Sequence, residues 1–338
     1  MKTQILRAVA VIILWAAAGT RSAEAELQRF AFNEPCMGTT FRVVLFAKNE
    51  TEATAAARAA FDRIEELDAM MTDYDERSEL MRLCAGAGGP AVKVSAEIFE
   101  LLSRAATFNK ATRGAFDVTV GPVVRLWRKA RAGNTLPDPA ELAKAKECVG
   151  MSKVVLDAKE RTVQFAMPGM QLDFGGIAKG YAVDQALALL KKRGIPNALV
   201  VGGGDVGAGD PPPGKDGWTV DIKPLDENQK EPLRLVLKNA GVSTSGDAEQ
   251  HLDKNGKRYS HIIDPKSGRA IEGRSSVTLV APDCTTSDAL AKSGILGVQA
   301  AIDVIDSIPS TAVFFAIEEQ GHIHYYESRS WAAVPKTK

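Results

Sequence analysis

Pro211-Pro212-Pro213, flanked by Gly209 and Gly214, closely follow an apolar stretch that ends in Gly202, Gly204 and Gly207. Those three glycines satisfy G-x-G-x-x-G after an expected strand, which is the pattern of a dinucleotide-binding turn. Such a turn has to open a helix, and a proline run that lacks N–H donors cannot continue one. The context therefore argues against a Rossmann domain. It predicts a glycine-rich loop over residues 202–217, using backbone conformations closed to other residues. Elsewhere strand-like and helix-like stretches mix without a strict βαβ rhythm, so the expected class is α+β rather than doubly wound α/β.

Residues 39–46 (TTFRVVLF) read as a strand by their β-branched and aromatic content. Residues 51–71 carry apolar side chains at helical intervals and predict a long amphipathic helix. A second helix is expected over 95–110, with Ser95 as N-cap and Glu97 in the first turn, where the dipole favours a carboxylate. Gly121-Pro122 opens a short helix through Trp127 and Arg128; residues 131–140 read as loop and 140–148 as helix. Strands are expected at 154–163, 170–174, 197–201, 218–222, 233–237, 241–244, 276–280 and 312–317. Residues 177–193 form a helix closed by Gly194 and Pro196. Residues 287–307 hold one or two helices, ended by Pro309.

The chain has 338 residues, 45% hydrophobic and 25% charged, with 42 basic against 42 acidic side chains. A wholesale nucleic-acid binder would show a basic excess, so that class is excluded. Lys2 and Arg7 precede an apolar run over residues 8–18 and the small-residue stretch Ser22-Ala23-Glu24-Ala25, the three-part pattern of a secretory signal peptide. The expected division is a leader over 1–25 and one domain over 26–338. No cysteine ends the apolar run, so an exported, periplasmic or otherwise extracytoplasmic soluble protein is expected rather than a lipoprotein. Export permits disulfides, but Cys36, Cys84, Cys148 and Cys284 lie far apart with no CxxC, and buried free thiols are the plainer expectation.

Residues 172–181 (LDFGGIAKGY) place two glycines between an expected strand and helix. The free N–H groups and dipole of such a helix start suit a pyrophosphate, and Lys179 adds a point charge in the first turn. The bland alternative is a tight turn with a solvated lysine. His261, in Ser260-His261-Ile262-Ile263-Asp264-Pro265, has the chemistry of a general base near neutral pH, and a nearby carboxylate would orient it. A strand-end histidine in a structural hydrogen bond fits the same residues. His322 and His324 alternate on one strand face, a weak metal pair. Thr244-Ser245-Gly246-Asp247 and Asp288-Ala289-Leu290-Ala291 offer oxygen ligands suited to Mg²⁺, or a plain turn and helix start. Tyr74 is an aromatic face for a planar ligand or ordinary packing. No G-x-S-x-G, H-E-x-x-H or Walker pattern is present in the sequence.

In order, Met37-Gly38-Thr39-Thr40-Phe41, Tyr74 with Ser78-Glu79-Leu80, and residues 114–122 (GAFDVTVGP) resemble the first half of the ApbE family. Residues 172–184 (LDFGGIAKGYAVD), the glycines at 202–204, residues 243–247 (STSGD) and 261–268 (HIIDPKSG) resemble the second. The resemblance spans roughly residues 30–325. It implies one α+β, T-fold-related catalytic domain of one or two lobes, and the activity of an FAD:protein FMN transferase. Such an enzyme cleaves FAD, moves the FMN phosphoryl group to a threonine of an acceptor protein and releases AMP. The implied acceptors are subunits of sodium-pumping NADH:quinone reductase and related RNF complexes, with no nucleic acid and with membrane contact only through the acceptor. By the same resemblance, Met37, Tyr74, Ala115, Phe116, Asp117, Asp173, Lys179 and Ile271 line the FAD site. His261 takes the threonine proton. Mg²⁺ is held by backbone around Gly176 and by Asp288.

One residue departs from the pattern. The family's threonine four residues after Asp288 is here Lys292, and a protonated lysine donates only. Three readings stay open: Ser293 replaces the threonine, the metal has fewer protein ligands, or the ammonium occupies the metal position and weakens catalysis. An active transferase is the leading function, with a non-catalytic FAD-binding protein or an FAD pyrophosphatase as alternatives.

Overall fold

The computed structural model describes residues 26–226, 231–246 and 251–337. The expected leader over 1–25, and Asp247 of the 243–247 motif, lie outside the described residues. The helices are α1 (Glu50–Met71), α2 (Glu79–Ala85), α3 (Ala96–Ala111), α4 (Gly121–Ala132), α5 (Pro139–Glu147), α6 (Ala178–Lys192), α7 (Cys284–Leu290) and α8 (Val298–Asp306). Asn49 caps α1 by accepting from Glu52 N, and Ser95 caps α3 by accepting from Ile98 N, the expected N-cap. Among the described residues no helix is long and apolar enough to cross a membrane.

An eight-stranded sheet forms the centre, and every neighbouring pair in it is antiparallel. Its spatial order is Gln28–Cys36, Thr39–Ala47, Ala198–Gly202, Asp205–Ala208, Ala240–Gly246, Ser275–Ala281, Ala312–Glu319 and His322–Glu327. Strand side chains alternate between the two faces, and both faces are covered. Val43, Leu45, Val200, Leu279 and Val313 join the core made with Ile64 and Leu67 of α1, Leu101 of α3 and Tyr181 of α6. Val44, Val242 and Ala312 face the other way, onto Trp218, Val220, Leu235 and Trp331. That second layer is a small sheet of Trp218–Ile222, Leu233–Leu237 and Lys336–Thr337. A third cluster packs Val123 and Trp127 of α4 on Leu252, Ile263 and Ala270 of the sheet His251–Lys254, Lys257–Ile263 and Ala270–Glu272. The chain is α+β, as its sequence suggested.

Several elements differ from the sequence reading. The stretch 154–163 is a hairpin, Val154–Asp157 against Thr162–Phe165. Asp157 Oδ1 accepts from Lys159 and Glu160 N–H, and Arg161 turns the chain at φ 57°. Residues 170–174 form no strand; they make one parallel bridge, Gln171 to Val120. The stretch 202–217 is not all loop. Gly203 at φ 64° turns the chain so that Asp205–Ala208 pairs back on Ala198–Gly202. Helix α4 runs four residues past Arg128, to Ala132. Gln28–Cys36 and His322–Glu327 were not anticipated, although both meet their neighbours through two-residue turns, Met37-Gly38 and Gln320-Gly321, in which both residues have positive φ. All four cysteines are free, and Cys36, Cys84 and Cys284 are buried.

Candidate active site

Ile177 in the N-cap position has φ −152° and supplies no side-chain cap; the N–H groups of Ala178 and Tyr181 donate to the Phe174 and Ile177 carbonyls instead. Gly180 N donates to Asp288 Oδ2 of α7 at 3.3 Å. A side chain at Gly180 would put its Cβ 2.3 Å from the Cys284 carbonyl oxygen. Glycine there lets α6 and α7 touch backbone to backbone and brings Asp288 over the first turn of α6.

Lys179 is half-buried rather than solvated. Its Nζ donates to Gly175 O at 3.2 Å and lies 3.6 Å from Asp205 Oδ2 and 4.0 Å from Asp288 Oδ2. Asp288 above all, against the opposing effect of burial, holds the Lys179 ammonium firmly charged. Asp205 sits in the glycine turn, where a Cβ on Gly203 would stand 3.7 Å from Lys179 Cε. Burial, then the charge of Asp288, pushes the Asp205 carboxyl up to about 6, and its Oδ2 has no hydrogen-bond partner. Asp288 is 1% exposed. Burial works to raise its pKa, but Lys292 and Lys179 outweigh burial and hold it below the usual carboxylate range.

Lys292 reaches into the same cluster. Its Nζ donates to Asp288 Oδ1 at 2.6 Å, Ser245 Oγ at 2.9 Å and the Asp288 carbonyl at 3.0 Å. The lysine stem runs past Gly176, where a Cβ would lie 3.2 Å from Lys292 Cε and 3.5 Å from the Phe116 ring. Of the three readings of Lys292, the geometry matches the third, the ammonium among the ligand oxygens. Ser293 Oγ is buried without a hydrogen-bond partner.

On one flank, Asp173 accepts from Gly175 N at 2.7 Å and from Arg128 Nη2 of α4 at 2.8 Å, while Arg128 Nη1 pairs with Asp73. Burial raises the Asp173 pKa, with Arg128 opposing it. Tyr74, next to Asp73, is 80% exposed with the Arg128 guanidinium 4.8 Å from its ring centroid. It is an open aromatic face, not core packing. Arg128 and Asp73 were missed by sequence reasoning, since only folding joins them to Asp173.

The other expected residues have surroundings of their own. Phe116 adjoins Gly176 and Lys292, and Ala115 beside it is buried. Asp117 ties down its own loop, its carboxylate accepting from Thr119 N, Thr119 Oγ1 and Met151 N. Met37 tops the first hairpin, its N–H donating to Asp68. His261 lies on the strand Lys257–Ile263 and Ile271 on Ala270–Glu272, two strands that pair. The Asp264 carboxylate accepts from Lys266 and Ser267 N–H. This small sheet is tied to α4 by Trp127 Nε1 donating to Gly268 O at 2.9 Å, and a Cβ on Gly114 would come 3.5 Å from Lys266 Cε. Neighbouring residues of α4, Trp127 and Arg128, thus anchor the His261 sheet and the Asp173 turn together.

The family model of the ApbE family matches residues 37–315, a span that contains all of these motifs. The chain belongs to the ApbE family. A relative from Haemophilus influenzae named FAD:protein FMN transferase is 32% identical over 97% of this chain and 98% of its own length. One of the same name from Treponema pallidum is 31% identical over 89% of this chain and 88% of its own. The solved flavin transferase ApbE from Vibrio cholerae superposes with a TM-score of 0.82 at 27% identity, covering 91% of this chain and 99% of that one.

The ApbE resemblance implied Mg²⁺ on Gly176 and Asp288, and the residues present do not fit it. The Asp288 Oδ1 and carbonyl oxygens and Ser245 Oγ already accept from one ammonium. A magnesium ion takes oxygens at about 2.1 Å and would lie against Nζ. Among the described residues no group of three acidic, histidine or cysteine side chains is placed to hold a metal, and that includes His322 and His324.

Proposed function

We propose that this protein is an FAD:protein FMN transferase that moves FMN to a threonine hydroxyl of a redox-complex subunit and releases AMP. Membership of a family whose matched relatives carry that name supports the reading. The observation that carries it is the convergence of Lys179 and Lys292 on the uncapped turn at Gly175-Gly176, with the Tyr74–Arg128 face on its flank. Phosphoryl transfer needs charge neutralisation on the phosphates and an oriented hydroxyl more than a covalent intermediate.

In this reading the pyrophosphate lies at the start of α6, where the positive end of the helix dipole and the Lys179 ammonium draw its charge. The planar flavin or adenine stacks on Tyr74, whose ring Arg128 holds from one side. His261, on a strand fixed to α4 through Trp127, accepts the proton of the incoming threonine. The magnesium requirement is not carried into the reading, because Lys292 fills the seat. The leader pattern at 1–25 supports an extracytoplasmic acceptor, such as a subunit of a sodium-pumping NADH:quinone reductase or RNF-type complex.

Chromatography of FAD, FMN and AMP, with and without a threonine-bearing acceptor domain, tests the reading. AMP formed only with acceptor, and without matching free FMN, supports transfer. Equal FMN and AMP without acceptor would replace it by FAD hydrolysis, and intact FAD retained on the protein would replace it by flavin binding alone.

A further inference from the structure

We propose that the Lys292 ammonium is the resident cation of this site, seated among the Asp288 and Ser245 oxygens in place of a divalent ion, and that flavin transfer here needs no divalent metal. The inference rests on the transferase reading above, but its seat is testable without it.

The fit is specific to an ammonium. A lysine has three N–H donors, and three oxygens receive them: Asp288 Oδ1, the Asp288 carbonyl and Ser245 Oγ, at 2.6, 3.0 and 2.9 Å. The stem lies along Gly176, where a Cβ would press on Lys292 Cε at 3.2 Å. Asp288 has one oxygen on Lys292 and the other facing Gly180 N and the more distant Lys179 ammonium. Its negative charge is therefore met from both sides before any ion arrives. A divalent ion would have to displace an ammonium tethered four residues away on the same chain, whereas a free ion has to be gathered from solution.

Electrostatically the substitution keeps a cation beside the phosphates, with a smaller charge that no chelator removes. The step balances with groups already named. The threonine oxygen forms a bond to the FMN phosphorus, and the bridging P–O bond breaks with its electron pair leaving on AMP. The hydroxyl proton goes to His261, and Lys292 takes no part in the proton transfer.

The first measurement is Mn²⁺ binding by electron paramagnetic resonance, on the wild-type protein, on Lys292→Thr, and on Lys292→Thr combined with Asp288→Asn. The proposal expects no stoichiometric Mn²⁺ on the wild type, binding on Lys292→Thr, and its loss in the double variant. The second is transfer by the wild type in excess chelator, expected to match transfer in Mg²⁺. Lys292→Met is expected to cut transfer by on the order of 10²–10³-fold, as removal of one charge-stabilising donor does. Stoichiometric wild-type Mn²⁺ that vanishes in Asp288→Asn would overturn the proposal, as would wild-type transfer that chelator abolishes and Mg²⁺ restores. If Lys292→Thr does not fold, the wild-type arms still decide. If no acceptor is labelled under any condition, the transferase reading fails while the Mn²⁺ arms still settle whether the seat belongs to Lys292.

Discussion

At the scale of single residues, groups that act on the hydroxyl differ in signature from groups that hold the ligand. His261→Ala is expected to lower FMN transfer by about 10²–10⁴-fold, the usual contribution of a positioned base, with FAD affinity by fluorescence nearly unchanged. Unaltered turnover would remove His261 from the mechanism. Arg128 has the opposite signature. Its loss leaves the buried Asp173 carboxylate and Asp73 without their shared cation and frees the Tyr74 ring. Arg128→Ala should cost on the order of 3 kcal/mol in denaturant unfolding, as removing one partner of a buried pair does, and should weaken FAD binding. A variant with wild-type stability and affinity would contradict that role. Residue identity was legible in the sequence where a motif is contiguous, as in residues 172–181 and 261–268. Arg128 and Asp73 were not, because nothing local ties them to Asp173, and Ser245 was legible as an oxygen ligand but not as a partner of Lys292; separate elements have to pack before those contacts exist. Lys292 was legible only as an anomaly, and its oxygen cage comes from the fold.

At the scale of elements, the α6–α7 contact sets the site. Gly180→Ala forces a Cβ against the Cys284 carbonyl, which must push α7, and Asp288 with it, away from α6. Overpacking of this kind costs about 1–3 kcal/mol, and the variant is expected to lose flavin affinity along with thermal stability; retained affinity would show that the contact is structural only. A second device joins the same two helices. Asp184 of α6 accepts from Cys284 N, Thr285 N and Thr285 Oγ1 at the start of α7. Burial, against the Thr285 hydrogen bond, pushes its carboxyl up to about 6 from an ordinary 3.8. Between those values the folded state binds the proton and the unfolded chain does not, so this group's contribution falls as pH rises through that window, by a few kcal/mol. Denaturant unfolding between pH 4 and 7, wild type against Asp184→Asn, checks the sign. The wild type should lose more stability across the window, and equal slopes would contradict it. Helices with periodic apolar faces and plain caps, α1, α3 and α6, were readable from sequence nearly to the residue. The hairpins were not. Residues 154–163 look like one strand because Asp157 and Arg161, which make the turn, are unremarkable in composition, and the glycine run hides a strand because its pairing partner precedes it.

At the scale of the whole molecule, the antiparallel sheet with covers on both faces is a rigid frame, on which the glycine turn at Gly203, the first turn of α6, Asp288 of α7 and Lys292 meet, while α4 ties the His261 sheet to the Asp173 flank. The motifs that resembled the ApbE family are scattered from residue 37 to residue 292, and folding brings Gly176, Lys179, Ser245 and Asp288 together around Lys292; the α+β class and the family could be read from the motifs, whereas the sheet order could not. The most direct test is intact-mass spectrometry of a threonine-bearing acceptor domain incubated with this protein and FAD. A mass gain of one FMN is expected, absent when the threonine is replaced by valine. An acceptor of unchanged mass while FAD is consumed to FMN and AMP would contradict it.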